Sequence, residues 1–334
     1  MNEAAIPETF SIWGCAGAYL FGAAMLWLGG YLVSVVTGAV FEKWKVHEAT
    51  HDAARIVIFS ILGAFVPVAA ALSGHPEMAI GALAGQGMAT IGLLVGISAM
   101  CRDLPVDPGL RIKELPILLA SVVVFAVLVR VGMFLDRTDG FILIFMGVCC
   151  SVFLMLKKKT TPESRIPADK ASFLASYFLR DGNVVPLRLM YMAVFAILIL
   201  AVGAAFVVDS IVRAGTHYDF SLLALGATVL SLVGALPFVS AAAGAGVLKR
   251  AEKIPGYAAG VVIFNLLLCG GLTVVVSPLA IPPAFFRVEI AAIFGISALL
   301  WLFVRTRDSI GKLEGAVLFV TYAALVWACL RGSF

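Results

Sequence analysis

One short histidine-containing stretch has the spacing of a known metal site. The stretch HEATHD begins at His47 and fits the pattern His-Glu-x-x-His. On a helix this spacing puts both imidazoles on one face, where they could bind zinc while Glu48 acts as a general base. A third ligand would be needed, and the other histidines, His75 and His217, are expected on the opposite membrane face. We therefore favour a solvated helix start, and His47 and His51 are only weak metal candidates.

Polar side chains inside apolar stretches are a second source of chemistry. Asn265 stands within GYAAGVVIFNLLLCGGL, and Gln86 and Thr90 stand within GALAGQGMATIGLLVGI. With Ser231 and Ser240 they could line a neutral or weakly polar pocket that binds a substrate or an ion. They could equally make ordinary hydrogen bonds between helices, which is the simpler interpretation.

The composition indicates the elements that must position these residues. The chain has 334 residues, of which 62% are hydrophobic and 13% charged, and its mean hydropathy is +1.05. Soluble domains carry about 25% charged residues, so this is an integral membrane protein. Ten apolar segments have roughly the 20 residues that a membrane helix needs: 12–40, 56–73, 78–100, 114–134, 140–156, 187–212, 220–247, 256–278, 284–304 and 313–331.

The distribution of basic residues predicts the orientation of these segments. If the N-terminus lies outside, 19 of the 24 Lys and Arg residues fall on the inner face. Such a bias orients membrane proteins, so we expect a multi-pass protein of the inner or plasma membrane, N-out and C-out. The basic loops are then orientation signals, and nucleic acid is not an expected partner.

An internal repeat with an offset of 175 residues organises the chain. Three pairs show it: Gly81 with Gly256, Gly85 with Gly260, and Glu114 with Glu289. Since five segments per half is an odd number, the two halves must enter the membrane in opposite directions, a plan typical of secondary transporters. We expect a first five-helix repeat over 1–156, a cytoplasmic linker over 157–186 and a second repeat over 187–334.

This layout resembles the cation/calcium antiporter superfamily, which includes the sodium/calcium exchangers. In that family each half has a helix reading about G-T-S-L-P-E, then one reading G-N-V-x-G-S-N-I-F-N. Here the first pattern matches GAFVPV from Gly63 and VGALPF from Val233. The second matches GALAGQGMAT from Gly81 and GYAAGVVIFN from Gly256. The resemblance implies an all-α transmembrane fold of ten helices in two inverted-topology five-helix repeats.

The acidic residues of the family pattern are missing. The positions that the resemblance assigns to the two carboxylates are Val68 and Phe238. Calcium takes 6–8 oxygen ligands, usually with carboxylates among them, and neither residue offers an oxygen. Ordinary sodium/calcium exchange is therefore not expected.

The paired glycines have a structural interpretation. Gly81 and Gly85, like Gly256 and Gly260, are spaced i, i+4, which lets helix backbones approach closely. We expect them to preserve the packing of the central helices. The acidic residues Glu114 and Glu289 open their segments, where the helix dipole favours a negative charge. Near an outer helix end, Asp209 is expected to pair with Arg213, four residues on.

Two functions follow from these observations. The leading one is a secondary transporter of the antiporter type, whose altered site handles another cation, protons or an uncharged solute. The alternative is a non-transporting subunit or assembly partner for another membrane protein. An enzyme is not expected, nor is any cofactor, disulfide framework or metal knuckle.

Overall fold

Ten membrane-length helices build the protein. The computed structural model describes residues 12–44, 48–156 and 186–332. The ten helices found there are α1 (Trp13–Phe41), α2 (Ala54–Leu72), α3 (Pro76–Cys101), α4 (Leu110–Gly132), α5 (Arg137–Leu154), α6 (Leu187–His217), α7 (Leu222–Gly244), α8 (Ala251–Val276), α9 (Pro283–Thr306) and α10 (Lys312–Arg331). The all-α transmembrane fold class is confirmed.

Several helices change geometry or extend beyond these spans. The helices around α1 and α6 run over Ile12–Lys43 and Pro186–His217, each 32 residues long. The helix leading into α2 begins at Glu48 and passes through a 3₁₀ turn at Leu62–Ala64 before Phe65–Leu72. Val288 separates the short helix Pro283–Arg287 from Glu289–Thr306 within α9.

Two small antiparallel sheets show how the halves are related. The strands are β1 (Leu104–Pro105), β2 (Phe134–Leu135), β3 (Leu279–Ala280) and β4 (Ser309–Ile310), and β1 pairs with β4 and β2 with β3. Leu104 faces Ile310, and Leu279 faces Leu135. The repeat offset of 175 residues takes β1 to β3 and, in the reverse direction, takes β4 to β2. One two-fold operation therefore relates the two sheets.

The sheets lie at opposite ends of the bundle. We call the end that carries the 157–185 connection the linker side, and the opposite end the terminus side. The β1–β4 sheet follows α3 on the linker side, whereas the β2–β3 sheet follows α4 on the terminus side. An operation that exchanges the halves therefore also exchanges the two sides. This confirms two inverted-topology repeats.

Glycine contacts lock the central helices into this arrangement. A Cβ atom on Gly96 of α3 would lie 3.1 Å from the carbonyl oxygen of Gly315 in α10. The repeat-related pair is Gly271 of α8 and Gly140 of α5, with an equivalent distance of 2.8 Å. Each central helix thus crosses a helix of the other half with almost no side chain between them. As a result, α3 and α8 are the most buried helices.

Candidate ion site

A buried phenylalanine fills the space beside the proline of α7. The Phe238 side chain is 0% exposed, and its ring covers Gly63 of α2 so closely that a Cβ atom there would overlap it. The Tyr257 hydroxyl of α8 donates a 2.8 Å hydrogen bond to the Phe238 carbonyl oxygen. Val68, in the corresponding place after Pro67, is half-buried and packs against the hydrophobic core. Both positions are therefore hydrocarbon surfaces.

Gln86 connects α3 to α2 near that ring. Its Nε2 atom donates a 3.3 Å hydrogen bond to the carbonyl oxygen of Gly63, the same residue that Phe238 covers. The Gln86 side chain is completely buried, and its Oε1 atom accepts no hydrogen bond. An unpaired buried acceptor costs about 1–3 kcal/mol, a penalty that a donor or a cation bound beside it would relieve.

Asn265 makes the matching contact from α8 to α3. Its Nδ2 atom donates a 2.8 Å hydrogen bond to the carbonyl oxygen of Leu83. Asn265 is also fully buried, and its Oδ1 atom has no hydrogen-bond partner. Leu83 and Gln86 are three residues apart on one helix, so the two amides bracket one turn of α3. Each amide thus joins two helices through its nitrogen, while its oxygen has no donor among the described residues.

The hydroxyl groups are bonded within their own helices. Thr90 Oγ1 donates to the Gln86 carbonyl at 2.7 Å, and Ser231 Oγ donates to the Ala227 carbonyl at 2.8 Å. Ser231 also touches α3, because a Cβ atom on Gly85 would lie 2.5 Å from its Oγ atom. Ser240 bonds Pro237 at 3.2 Å and lies against α1. Ser240 thus packs on the outer helix α1.

Both central helices widen at repeat-related positions. A π-helical segment runs from Thr90 to Val95 in α3, and another from Asn265 to Cys269 in α8. The segments begin at residues separated by the repeat offset. Such segments are rare and occur frequently at functional sites. They shift the register of the two central helices at the level of the buried amides.

The four repeat glycines have two different environments. Cβ atoms on Gly81 and Gly85 would run into the backbone of α7, at Leu223 O (2.5 Å) and at the carbonyl oxygen of Ala227. The sequence predicted the same close approach for Gly256 and Gly260. At those positions a Cβ atom would meet only side chains, Glu114 Oε2 at 3.0 Å and Ile56 Cγ2 at 2.6 Å respectively. The packing is therefore closed on the terminus side and looser on the linker side.

An open groove occupies the looser side. It has a volume of about 680 Å³, including the space open at its mouth. Its lining residues come from α2, α5, α8 and the start of α4, and they include Ile56, Asp107, Glu114, Gly256 and Gly260. The groove thus lies along the face of α8 that carries the repeat glycines.

A fully buried carboxyl group was not singled out from sequence. Glu289 at the start of the main α9 helix is 1% exposed, and its Oε2 atom has no hydrogen-bond partner. Its repeat mate Glu114 is half-buried and lines the groove. The helix-start position alone explained both residues equally well, and only the packing distinguishes them.

The remaining sequence candidates have simpler environments. Asp209 forms a 2.8 Å ion pair with Arg213, as expected from their spacing. His47 lies outside the described residues, and His51 lies in the helix Glu48–Ile61. The residues that the structure describes contain no group of three or more His, Cys, Asp or Glu side chains placed to hold a metal ion.

Comparison with known proteins identifies the family. The family model described as "Sodium/calcium exchanger protein" matches residues 13–156 and 188–331. "Inner membrane protein YrbG" of Escherichia coli is 26% identical over 266 residues, covering 79% of this chain and 80% of the relative. Solved structures of the sodium-calcium exchanger NCX_Mj share the fold. Two of them, soaked with 2.5 mM Na⁺ and either 0.1 mM or 10 mM Sr²⁺, have TM-scores of 0.64 and 0.63 at 20% identity. Each covers 95% of this chain and 99% of its own.

The family match spans both halves and nearly the whole membrane region. Proteins of this family are transporters rather than enzymes, which agrees with the expectation from sequence. The chain therefore belongs to the sodium/calcium exchanger protein family.

Proposed function

We propose that this protein is a secondary transporter of the cation-antiporter type with an altered ion site, and that it does not carry out ordinary sodium/calcium exchange. Transport would proceed by alternating access of the two inverted repeats to a site between α2, α3, α7 and α8. The bilayer and a transported cation are its expected partners.

The observation that carries this proposal is the burial of Phe238. The family resemblance assigns a carboxylate to this position, and here a 0% exposed aromatic ring packs on Gly63 instead. Calcium keeps 6–8 oxygen ligands and needs compensating charge for its lost water. A hydrocarbon ring provides neither, and Val68 provides neither in the other half.

The groups that remain suit a weakly coordinated ion. Gln86 Oε1 and Asn265 Oδ1 are buried acceptors without donors, and both lie within one helical turn of α3. Neutral oxygens can replace part of the hydration of a monovalent cation or of a hydronium ion, which require less charge than calcium. Thr90 and Ser231 add hydroxyl oxygens that already donate their protons and can still accept.

The uneven glycine packing supports a defined transport state. Gly81 and Gly85 hold α3 on α7 at the terminus side, whereas Gly256 and Gly260 line the linker-side groove. Since the basic loops favour an N-out, C-out orientation in the inner or plasma membrane, the groove would open to the cytoplasm. The division into 1–156, the linker 157–186 and 187–334 would make each repeat one moving unit.

A flux assay on the purified protein tests this proposal. Proteoliposomes are loaded with sodium, potassium, protons or calcium, and exchange is followed against protein-free liposomes. We expect saturable movement of a monovalent cation or protons and a flat calcium response. An Asn265→Leu variant serves as the control, because it removes one orphan oxygen. A flat result for every cation would instead favour the alternative, a non-transporting subunit that assembles with another membrane protein.

A further inference from the structure

The carboxyl group of Glu289 is sealed inside the terminus side of the bundle. The side chain is 1% exposed, and Oε2 has no donor within reach. It stands at the start of the helix Glu289–Thr306, and this helix packs against α3, α4 and α10. One turn further along, Ile293 fills the space beside Gly87 of α3. The carboxyl group therefore lies within the wall of packed helices that closes this side.

Among the residues that the structure describes, Glu289 has no ion pair with a basic side chain. The basic groups on the packed elements at this end are engaged elsewhere or exposed: Arg130 stacks on Phe286, Arg331 stacks on Trp327, and Arg287 is exposed. Of the acidic and titratable groups there, Glu77 pairs with His75 at 3.9 Å, and Cys329 is a buried thiol within electrostatic reach of Glu289. Tyr322 of α10 packs at Gly92, towards the middle of α3.

The repeat mate of Glu289 has the opposite environment. Glu114 lies 175 positions earlier, is half-buried, and lines the groove on the linker side beside Gly256. Exchanging the two halves would exchange the environments of these two carboxyl groups. Both pathways of the transporter thus carry one acid at the same structural position, one sealed and one beside open space.

A sealed and unpaired carboxyl group is neutral for physical reasons. Burying an ionised carboxylate without a partner costs several kcal/mol, which the protonated form avoids. Water in an opened pathway removes that penalty and lets the proton leave. Opening of the terminus side would therefore be linked to proton release at Glu289.

We propose that Glu289 is a proton-binding group of this transporter, which holds a proton in the conformation described here and releases it when the terminus side opens. In that step the O–H bond of the carboxyl group breaks, the proton passes to water on the terminus side, and a carboxylate remains. The inference rests on the alternating access proposed above. It assigns a group that couples proton movement to transport and lies outside the ion site between α2, α3, α7 and α8.

Infrared spectroscopy of the purified protein tests the protonation directly. At pH 7 the wild type should show the carbonyl stretch of a protonated carboxyl group, and Glu289→Gln should lose it. Glu77→Gln, which changes a partly exposed acid on the same side, should leave this band unchanged. Glu289→Asp should restore a band at a shifted frequency if the site itself binds the proton. Equal spectra for the wild type and Glu289→Gln would overturn the proposal.

A transport measurement tests the release step. In proteoliposomes, Glu289→Gln should reduce proton-coupled cation movement at least tenfold, while thermal stability stays close to that of the wild type. Unchanged coupling in Glu289→Gln would contradict the release step. The infrared result does not depend on flux, so a protein that binds this proton but transports nothing would disprove the proposed function and not the proton site.

Discussion

The ring of Phe238 lies over Gly63, and the carbonyl oxygen of Gly63 accepts the amide of Gln86. This contact joins α7, α2 and α3 at the place where the family pattern puts an acid. The ring fills the place of that acid and leaves no room for a side chain at residue 63. Under the proposed function, the identity of residue 238 would therefore decide which ions this family member can accept.

Restoring an acid at this position should create calcium sensitivity. In Phe238→Glu a buried carboxylate replaces the ring, and its unpaired charge destabilises the protein unless a cation binds. We expect calcium near 100 times its dissociation constant to stabilise this variant by about 2.7 kcal/mol. Thermal unfolding in detergent, measured across a calcium titration, checks the shift.

Phe238→Gln is the matched control for that variant. Its side chain has nearly the same size and shape as that of glutamate, but it carries one oxygen and no charge, so calcium should not change its unfolding temperature. A calcium-dependent shift of equal size in both variants would show that charge at residue 238 is not what calcium requires.

Asn265 should matter far more for transport than for stability. Hydrogen bonds between membrane helices contribute about 0.6 kcal/mol on average, so Asn265→Leu should unfold at nearly the wild-type temperature. Loss of its Oδ1 atom should reduce cation flux at least tenfold. Thr273→Val is the comparison, because Thr273 is also buried in α8 but bonds only Cys269 of its own helix. Similar flux in both variants would remove Asn265 from the site.

Gly85 on the terminus side and Gly256 on the linker side invite a comparison of stability. In Gly85→Ala the new methyl group collides with the α7 backbone, and such overpacking costs about 1–3 kcal/mol. Gly256→Ala meets only the movable Glu114 carboxyl group, at 3.0 Å, so stability should hold or improve slightly. Denaturation of both variants side by side measures the difference. Equal losses would indicate that the linker side is packed as tightly as the terminus side.

Gly256→Ala should nevertheless slow transport. Gly81 packs tightly against α7 in this conformation. When the linker side closes, its repeat mate Gly256 must pack just as tightly against α2, which corresponds to α7 in the other half. A methyl group there would hold the groove open. Exchange measured in proteoliposomes should fall although the folded protein is intact, and wild-type rates would contradict closure by this contact.

An exposed acid outside the spans predicts a pH dependence of stability. The backbone N–H of Asp139 donates a 2.9 Å hydrogen bond to Asp136 Oδ1, and this bond lowers the pKa of Asp136 below its ordinary value. A lowered folded-state pKa adds stability above the unfolded-state pKa of about 3.9, and that stability is lost as the pH falls further. Asp136→Asn should therefore show a shallower decline in unfolding temperature below pH 4 than the wild type. Parallel curves would exclude this contribution.

Much of the fold could be predicted because membrane helices have a fixed length and the repeat has a fixed offset. The pairs Gly81 with Gly256 and Glu114 with Glu289 indicate the repeat, and the odd number of segments in each half indicates its inversion. The two small sheets were not foreseen, since two-residue strands in loops such as Leu104–Pro105 leave no periodic signal.

The site was less predictable because packing distinguishes residues that look alike in sequence. Ser231 and Ser240 are both serines in α7, yet one touches α3 and the other lies against α1. Glu114 and Glu289 are repeat mates near the starts of α4 and α9, yet only Glu289 is fully buried with an orphan oxygen. Neither difference follows from the type of residue or from its position along a helix.

The most direct test of the altered site is calcium uptake by proteoliposomes that contain the wild-type protein and an outward sodium gradient. With Phe238 and Val68 in place of carboxylates, radioactive calcium should accumulate no faster than in protein-free liposomes, while monovalent cation exchange proceeds in the same preparation. Saturable, sodium-dependent calcium uptake by the wild type would contradict an ion site closed to calcium by Phe238.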